Sequence, residues 1–309
     1  MRTKLVLAVL VLAASLLCLT SCVVDIGDWE RFNSDFHYSY PLKPTGRLTA
    51  ETFNGSIEVS GWDQDTVDIS GTKYGPSQAE ADNLKVNIDH SPDSVSIRIE
   101  RPSLRRNNQG ARLVIKVPRT ANLDRLTTSN SSIRTQDGAG PTRLRTSNSS
   151  IHVVDLRGSL EAETSNSAIE LWGVEGDVTA HTSNGHIEAE RLGGALEAVT
   201  TNSHVRADIA RADRGVRVET SNSGVELTLP PNFSSGVRVS TNNGQITVRL
   251  PESTNAHVSA RTSNASITTD FEIRTQGDIS RNRLEGVIGN GGPLIDLSTS
   301  NSGIRLLRR

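Results

Sequence analysis

Three histidines, His181, His186 and His204, lie close together in the sequence, with Glu163 and Glu188 nearby. Imidazole and carboxylate groups are ligands that Zn²⁺ accepts in proteins. A zinc site would require these side chains to converge on one point, whereas surface histidines on a repeated unit are far commoner. We therefore predict no metal site and no cofactor, and we expect the rings of His186 and His204 to be neighbours on the surface.

Charged residues recur at regular spacing, whereas the polysaccharide lyases and hydrolases that are built on solenoids carry acid clusters with Arg or Lys on one sheet. One series consists of Arg145, Glu163 and His181, and another of His152, Glu170, Glu188 and Arg206. Series of mixed sign are typical of cross-strand neighbours that pair on a surface. An active site would need two or more carboxylates in one groove, and the sequence contains no nucleophile elbow and no Walker loop. We predict no catalytic residues, with a polysaccharide-active enzyme as the alternative.

These residues belong to a repeated motif, Thr-x-Asn followed by a small residue, any residue and an aliphatic residue. The motif occurs ten times, with its asparagines at Asn54, Asn130, Asn148, Asn166, Asn184, Asn202, Asn222, Asn243, Asn264 and Asn301. The step is 18 residues from Asn130 to Asn202, then 20, 21 and 21 residues, and finally 37. A fixed period of this length indicates a repeat architecture. We interpret the last step as two units, the first without a clear asparagine.

Each unit alternates apolar and polar residues, and the phase slips by one at the asparagine. Leu160, Ala162 and Thr164 alternate with polar residues before Asn166, which predicts a strand with one buried face and then a turn. Strands this short cannot bury a face alone, so identical coils must stack and pair in parallel. We predict an all-β fold, a single-stranded parallel β-solenoid of 18–21 residues per coil, right-handed by the usual rule for parallel crossovers. A β-sandwich is the alternative, although it would not explain identical turns at fixed spacing.

Stacking would place the asparagines one above another, about 4.8 Å apart. Each side-chain amide could then donate to the carbonyl of the next, so the nine asparagines from Asn130 to Asn301 should form a structural ladder. We expect this row and the threonine two residues before each asparagine to point inward. Buried polar rows are tolerable only when every group is hydrogen-bonded, which a continuous ladder would provide.

The first residues have the pattern of an export signal. Arg2 and Lys4 precede the apolar run 5–17, and residues 19–22, LTSC, resemble a bacterial lipobox. That resemblance implies cleavage before Cys22 and a diacylglycerol on its thiol, which would anchor the protein to a membrane. Cys22 would then be the only cysteine, so no internal disulfide is expected. Val23 favours the outer membrane if the host has one. An ordinary secretory signal with a chance cysteine is the alternative.

The remaining chain divides by composition into three parts. Residues 22–47 hold Cys22 and five of the 11 aromatic residues, and we expect them to form a tether or a cap over the first coil. Residues 48–120 should form irregular N-terminal coils with one short helical turn capped by Ser77. Residues 121–309 should form the regular solenoid. We expect its last strand to carry Arg305, Arg308 and Arg309, charges that would discourage end-to-end pairing.

Net charge argues against a nucleic-acid partner. The chain carries −2, and removal of residues 1–21 with Arg2 and Lys4 would leave −4. Proteins that bind nucleic acid instead present a clustered basic face.

Three stretches resemble the bacterial putative-adhesin family of β-strand-repeat proteins. They are GRLTAETFNGSIEVSGWDQDTVDISG at 46–71, the repeated TSNS units, and GVIGNGGPLIDLSTSNSGIRL at 286–306. The resemblance covers nearly all of the chain after the signal and implies a β-solenoid at the cell envelope. It supplies no catalytic residues, and the function of the family is unknown.

Together these observations predict a non-enzymatic lipoprotein of the cell envelope, lipid-anchored after export, that acts as an adhesin, a surface-binding module or a scaffold. Its partners would be the membrane, through the N-terminal lipid, and a glycan or protein ligand. A structural component that self-assembles through coil ends or a sheet edge is a further alternative.

Overall fold

The computed structural model describes residues 32–102, 108–275 and 280–309. The predicted signal peptide, Cys22 and Trp29 lie outside these residues. The described part contains 27 strands and one short helix, α1 (Gln78–Asp82). The hydroxyl of Ser77 caps α1 by accepting a hydrogen bond from the amide of Glu80, which confirms the predicted helical turn. No helix in the described ranges is long and apolar enough to cross a membrane.

Each regular coil contains two strands. β12 (Leu160–Glu163) buries Leu160 and Ala162, and after the turn at Asn166, β13 (Ile169–Val174) buries Ile169 and Leu171. The next strand, β14 (Val178–His181), lies directly beside β12 in parallel. One period of 18 residues is therefore one circuit, and the prediction of an all-β parallel solenoid is confirmed.

The strands before each asparagine turn form one sheet, sheet 1. Its parallel strands lie in the spatial order β6 (Ser94–Ile99), β2 (Arg47–Glu51), β8 (Asn122–Thr127), β10 (Thr142–Arg145), β12, β14, β16 (Leu196–Val199), β18 (Val216–Glu219), β20 (Val237–Ser240), β26 (Leu294–Thr299) and β22 (Ala256–Thr262). Antiparallel strands extend both ends, with β5 (Val86–Ser91) beside β6, and β25 (Arg283–Ile288) followed by β24 (Ile273–Thr275) beyond β22.

The strands after each turn form sheet 2. Its parallel strands lie in the order β7 (Gly110–Pro118), β3 (Ile57–Trp62), β9 (Ile133–Ala139), β11 (Ile151–Arg157), β13, β15 (Ile187–Leu192), β17 (Val205–Ile209), β19 (Val225–Thr228), β21 (Ile246–Leu250), β27 (Ile304–Arg308) and β23 (Ile267–Thr269). At the N-terminal end, β4 (Thr66–Gly75) pairs antiparallel with β7, and β1 (Phe32–Pro41) pairs antiparallel with β4.

The core lies between the two sheets, where the inward side chains of both form one apolar cluster. The aliphatic position of the motif runs through it as a column, in which Ile151, Ile169 and Ile187 are in direct register and fully buried. Two facing sheets are also the layers of a β-sandwich. Here, however, every regular coil contributes one strand to each sheet, so the connectivity is that of a solenoid.

The stacking order departs from the chain order at both ends. The β2–β3 coil lies between the strands β6 and β7 and the coil β8–β9, and the β26–β27 coil lies between β20–β21 and β22–β23. The interpretation of the 37-residue step as two successive units is therefore wrong. β24 and β25 instead extend the end of sheet 1 as antiparallel strands, and β26 and β27 then form an interior coil. Arg305 and Arg308 consequently lie on an interior strand, not at the end of the stack.

Aromatic residues of β1 lie at the N-terminal end of the stack. Phe36 and Tyr40 are half-buried and pack against the core cluster, while Tyr38 is exposed. The ring of Tyr40 stacks on His90 of β5 with centroids 3.9 Å apart. Since β1 belongs to sheet 2 and β5 to sheet 1, this contact joins the outermost strands of the two sheets.

Candidate functional site

The motif asparagines form one continuous hydrogen-bonded row. Asn148 Nδ2 donates to Asn130 Oδ1 at 2.7 Å, and Asn166 Nδ2 donates to Asn148 Oδ1 at 2.9 Å. The same bond, over 2.5 to 3.0 Å, links neighbours in the order Asn54, Asn130, Asn148, Asn166, Asn184, Asn202, Asn222, Asn243, Asn301 and Asn264. Asn54 extends the row beyond the nine asparagines of the regular part.

The row lies at the surface of the turns, contrary to our expectation that it points inward. Asn148 and Asn166 are exposed, whereas the threonines two residues before them, Thr146 and Thr164, are buried. In sheet 1 every second side chain points inward, and the threonine is the last residue in this pattern. The turn begins immediately after it, so the asparagine two residues later is not directed into the core. The hydroxyls of the motif threonines from Thr128 to Thr299 donate across the stack to a neighbouring coil, as when Thr164 Oγ1 donates to the backbone carbonyl of Ser149 at 2.9 Å. The asparagines thus bridge successive coils along one edge of the solenoid.

The histidines are only partly brought together. The rings of His186 and His204 stack with centroids 5.1 Å apart and planes 3° apart, and Glu170 lies 3.7 Å from His186 Nε2 and 2.9 Å from His152 Nδ1. His181 is instead on β14 of sheet 1. Within the part of the chain that the structure describes, no group of three or more His, Cys, Asp or Glu residues could hold a metal ion.

The charged series observed in the sequence are columns of directly paired neighbours. Arg145, Glu163 and His181 follow one another across sheet 1, and His152, Glu170, Glu188 and Arg206 do so across sheet 2. Arg145 Nη1 lies 3.0 Å from Glu163 Oε2. Such exposed pairs contribute at most about 1 kcal/mol each.

An exposed tryptophan stands on the outer face of sheet 2. Trp172 of β13 leaves 42% of its surface in solvent and has Val154 of β11 directly beside it, itself 38% exposed. Glu190 of β15 is its neighbour on the other side. Sequence reasoning missed this residue, although its position was visible. Trp172 follows the buried Leu171, where the alternation places polar side chains.

Carboxylates border the exposed ring. Glu170 precedes Trp172 by two residues on the same outer face of β13, and Glu188 is beside Glu170 on β15. We call the surface formed by Val154, Glu170, Trp172, Glu188 and Glu190 the Trp172 face. It combines an apolar plate with hydrogen-bond acceptors, so it suits a ligand that has an apolar side and a rim of donors.

The side chain of Arg191, a residue whose backbone is in the left-handed region, lies against the same ring. Arg191 has φ +56°, a conformation that costs a non-glycine residue about 1–2 kcal/mol. Its guanidinium carbon lies 5.9 Å from the centre of the Trp172 ring, within the range of a cation–π contact. Local strain of this kind is concentrated at functional positions.

The left-handed position recurs in earlier coils, at Asp137 and Asp155, and the side chain of Asp137 is ion-paired. Asp137 has φ +54°, and its carboxylate lies 2.9 Å from Arg119 Nη1, while Arg119 Nε lies 2.8 Å from Asp63. Hydrogen bonds to Asp63 and Asp137, together with the attraction of both negative charges, raise the pKa of Arg119 above its ordinary value. Arg119 is therefore a permanent positive link between the two carboxylates.

Fold and surface together define a class of protein, the strand-repeat solenoid, which presents regular outer faces on its two sheets. Within that class, the chain belongs to the Toastrack DUF4097 family, whose model matches residues 47–306. This finding confirms the resemblance to the putative-adhesin family. No curated protein sequence matches the chain.

Several solved structures are similar to the chain over most of its length. A putative adhesin from Bacteroides fragilis shares 14% identity with a TM-score of 0.34, covering 89% of this chain and 97% of that one. A putative cell adhesion protein from Clostridium sporogenes shares 11% identity with a TM-score of 0.22, covering 89% and 100%. A putative lipid binding protein from Parabacteroides distasonis shares 12% identity with a TM-score of 0.32, covering 88% and 96%.

Proposed function

We propose that this protein is a non-enzymatic lipoprotein of the cell envelope that acts as an adhesin-like binding module, with the Trp172 face as its binding surface. The observation that carries the proposal is the exposure of Trp172 beside Val154 on a regular sheet. Tryptophan supplies a large rigid apolar area, and it is enriched among the residues that dominate binding energy.

The chemistry of the surface favours a neutral glycan as the ligand. The C–H face of a pyranose ring can lie on the indole, and its hydroxyl groups can donate to the carboxylates of Glu170, Glu188 and Glu190. The three carboxylates are only partly compensated, by Arg191 over the ring and by Arg206, whose Nε lies 4.0 Å from Glu188, so a neutral sugar is favoured over an acidic one. A protein ligand remains the alternative, to be distinguished by experiment.

Anchoring at the envelope is proposed from the sequence alone. The lipobox-like LTSC at residues 19–22 supports a lipid on Cys22, with the outer membrane as the destination if the host has one. Several acyl chains hold a protein on a bilayer far longer than one chain does. Palmitate labelling of cells that express the full chain should mark the wild type and not Cys22→Ala. Equal labelling of both would contradict the anchor.

The binding proposal is tested with the soluble fragment 23–309 on a glycan array and on isolated cell envelopes. Trp172→Ala should abolish binding, and the matched control Val114→Ala, which truncates another exposed side chain on the outer face of sheet 2, should leave it unchanged. Both variants should melt as the wild type does.

Three outcomes would contradict the proposal. Equal binding by wild type and Trp172→Ala would remove the Trp172 face from the interaction. Release of new reducing ends from a bound glycan would favour the polysaccharide-active enzyme. Absence of any ligand together with concentration-dependent assembly in light scattering would favour a structural component.

A further inference from the structure

A second surface, on sheet 1, has the opposite charge character. A groove of about 400 Å³ crosses the outer face of β6, β2, β8, β10 and β12. The outward side chains that line it form two columns, Ser96, Thr49, Arg125, Arg143 and Glu161 in one, and Arg98, Glu51, Thr127, Arg145 and Glu163 in the other. We call this surface the arginine groove.

One arginine of the groove is left without a partner. Arg143 Nε lies 3.0 Å from Glu161, Arg145 Nη1 lies 3.0 Å from Glu163, and Arg98 Nε lies 3.3 Å from Glu51. Arg125 is exposed, and among the described residues it has neither an ion pair nor a side-chain hydrogen bond. The groove contains four arginines and three glutamates, so its net charge is +1, whereas the net charge of the whole chain is −2.

A β-bulge sets the position of Arg125. Opposite β2, Leu48 pairs with Leu123 but the following Thr49 pairs with Arg125, so β8 holds one extra residue, Asp124. Bulges re-aim side chains and are frequent beside binding sites. Beyond the bulge, Arg125 stands in register with Arg143 on β10. Like charges placed directly opposite each other destabilise a sheet, and a bound anion would reverse that effect.

Hydroxyl groups complete the lining. Thr49 and Ser96 continue the column of Arg125, and Thr127 lies two residues beyond it on β8. Their hydroxyls form no hydrogen bond with other described residues, so they remain available to a ligand. The planar fork of a guanidinium matches a carboxylate or a phosphate with two parallel hydrogen bonds.

We propose that the arginine groove binds an oxyanion group, a carboxylate or a phosphate, carried by an acidic glycan. Arg125 makes the main contact, Arg143 the second, and the hydroxyls of Thr49 and Thr127 donate to the same group. This inference extends the proposed binding function to a second ligand class, and it rests on different residues. Either proposal can therefore fail without the other.

The surrounding glutamates limit the charge that the groove accepts. Glu51, Glu161 and Glu163 lie within it, so one isolated oxyanion is neutralised while a densely charged polymer is repelled. A sugar chain with spaced acidic groups fits this pattern, and nucleic acid does not.

The test is isothermal titration calorimetry of the full mature chain with an oligosaccharide that carries a single uronic acid, with an oligosaccharide that carries a single mannose phosphate, and with a neutral oligomer of equal length. The wild type should bind at least one acidic oligomer and bind it at least tenfold more tightly than the neutral one. Binding of the first identifies a carboxylate ligand, and binding of the second a phosphate ligand.

Variants assign the binding to the groove. Arg125→Ala should weaken binding at least tenfold, and Arg125→Lys should be intermediate because a lysine cannot form the bidentate contact. Arg238→Ala, an exposed arginine in the same outer column on β20, should bind as the wild type does, as should Trp172→Ala. Thermal melting verifies that each variant is folded. Failure of both acidic oligomers to bind, or equal binding by wild type and Arg125→Ala, would overturn the proposal.

Discussion

Buried threonines differ in whether their hydroxyl groups have a hydrogen-bond partner in the core. The hydroxyl of Thr164 is buried and donates to the carbonyl of Ser149, so its desolvation is compensated. Thr135 is equally buried, but its Oγ1 has no hydrogen-bond partner. It stands in register between Val59 and Val153, which occupy the same inward position of the neighbouring coils. The same residue type therefore has opposite energetic consequences in two positions.

We expect Thr135→Val to raise the free energy of unfolding by about 1 kcal/mol, because it removes an uncompensated buried hydroxyl. Thr164→Val should lower the free energy of unfolding by about 1 kcal/mol, because it removes a satisfied hydrogen bond and leaves a carbonyl unpaired. Urea unfolding of the two variants measures both effects. Changes of the same sign would show that the hydroxyl of Thr135 is solvated.

A glycine in the left-handed position of a coil gives a second test at this scale. Gly173 has φ +69°, and a Cβ there would lie 2.4 Å from Asp155 Oδ1. Gly173→Ala should cost about 1–2 kcal/mol of unfolding free energy, from the left-handed conformation and this contact. The control is Gly215→Ala, since a Cβ at Gly215 meets only the carbonyl of Gly236, at 3.9 Å. Equal melting temperatures of the two variants would contradict the strained position.

At the scale of strands, the regular coils were predictable because each depends only on its neighbours. Alternation ending in Thr164, a turn at Asn166 and an aliphatic residue at Ile169 is local information, and it repeats unchanged. The exposure of Asn166 was not predictable from this pattern, because the position of a turn residue relative to the core depends on how the two sheets close. Trp172 could have been found, since it occupies an outward position of the same alternation.

The order of the coils at the ends was not predictable, because it depends on which of several strands, distant in sequence, pairs with the edge of a given coil. β27 has the same local pattern as β23, yet only β27 pairs with β21. The bulge that places Arg125 beside Arg143 is likewise invisible in β8, since it exists only relative to the partner strand β2.

The interior position of β27 has a measurable consequence. Leu306 is fully buried between β21 and β23, whereas Ile267 on the outermost strand β23 is only partly buried. Leu306→Ala should lower the free energy of unfolding by about 2–5 kcal/mol, and Ile267→Ala by less than half as much. If the coils stacked in chain order, β27 would be the outermost strand. Leu306→Ala would then lower the free energy of unfolding less than Ile267→Ala does.

At the scale of the whole molecule, a stack of coils must prevent its end strands from pairing with other chains. Sheet 2 ends at one side in β23, which has only three residues, a short edge of the kind that limits unwanted pairing. At the other side β4 is covered over its full length by β1, with ten paired residues from Phe32 to Pro41. The N-terminal strand therefore acts as a cover for the sheet and for the core beneath Phe36 and Tyr40.

Deletion of residues 23–41 from the mature chain should expose the edge of β4 together with the apolar end of the core. We expect a lower melting temperature and concentration-dependent association in light scattering, because the deletion uncovers the apolar core surface on which Phe36 and Tyr40 pack, next to the edge of β4. Tyr38→Ser is the matched control: it removes an exposed aromatic ring but keeps the backbone of β1, so it should associate no more than the wild type does. Association of Tyr38→Ser to the same extent would assign the effect to side chains, and a monomeric deletion variant would show that β4 needs no cover.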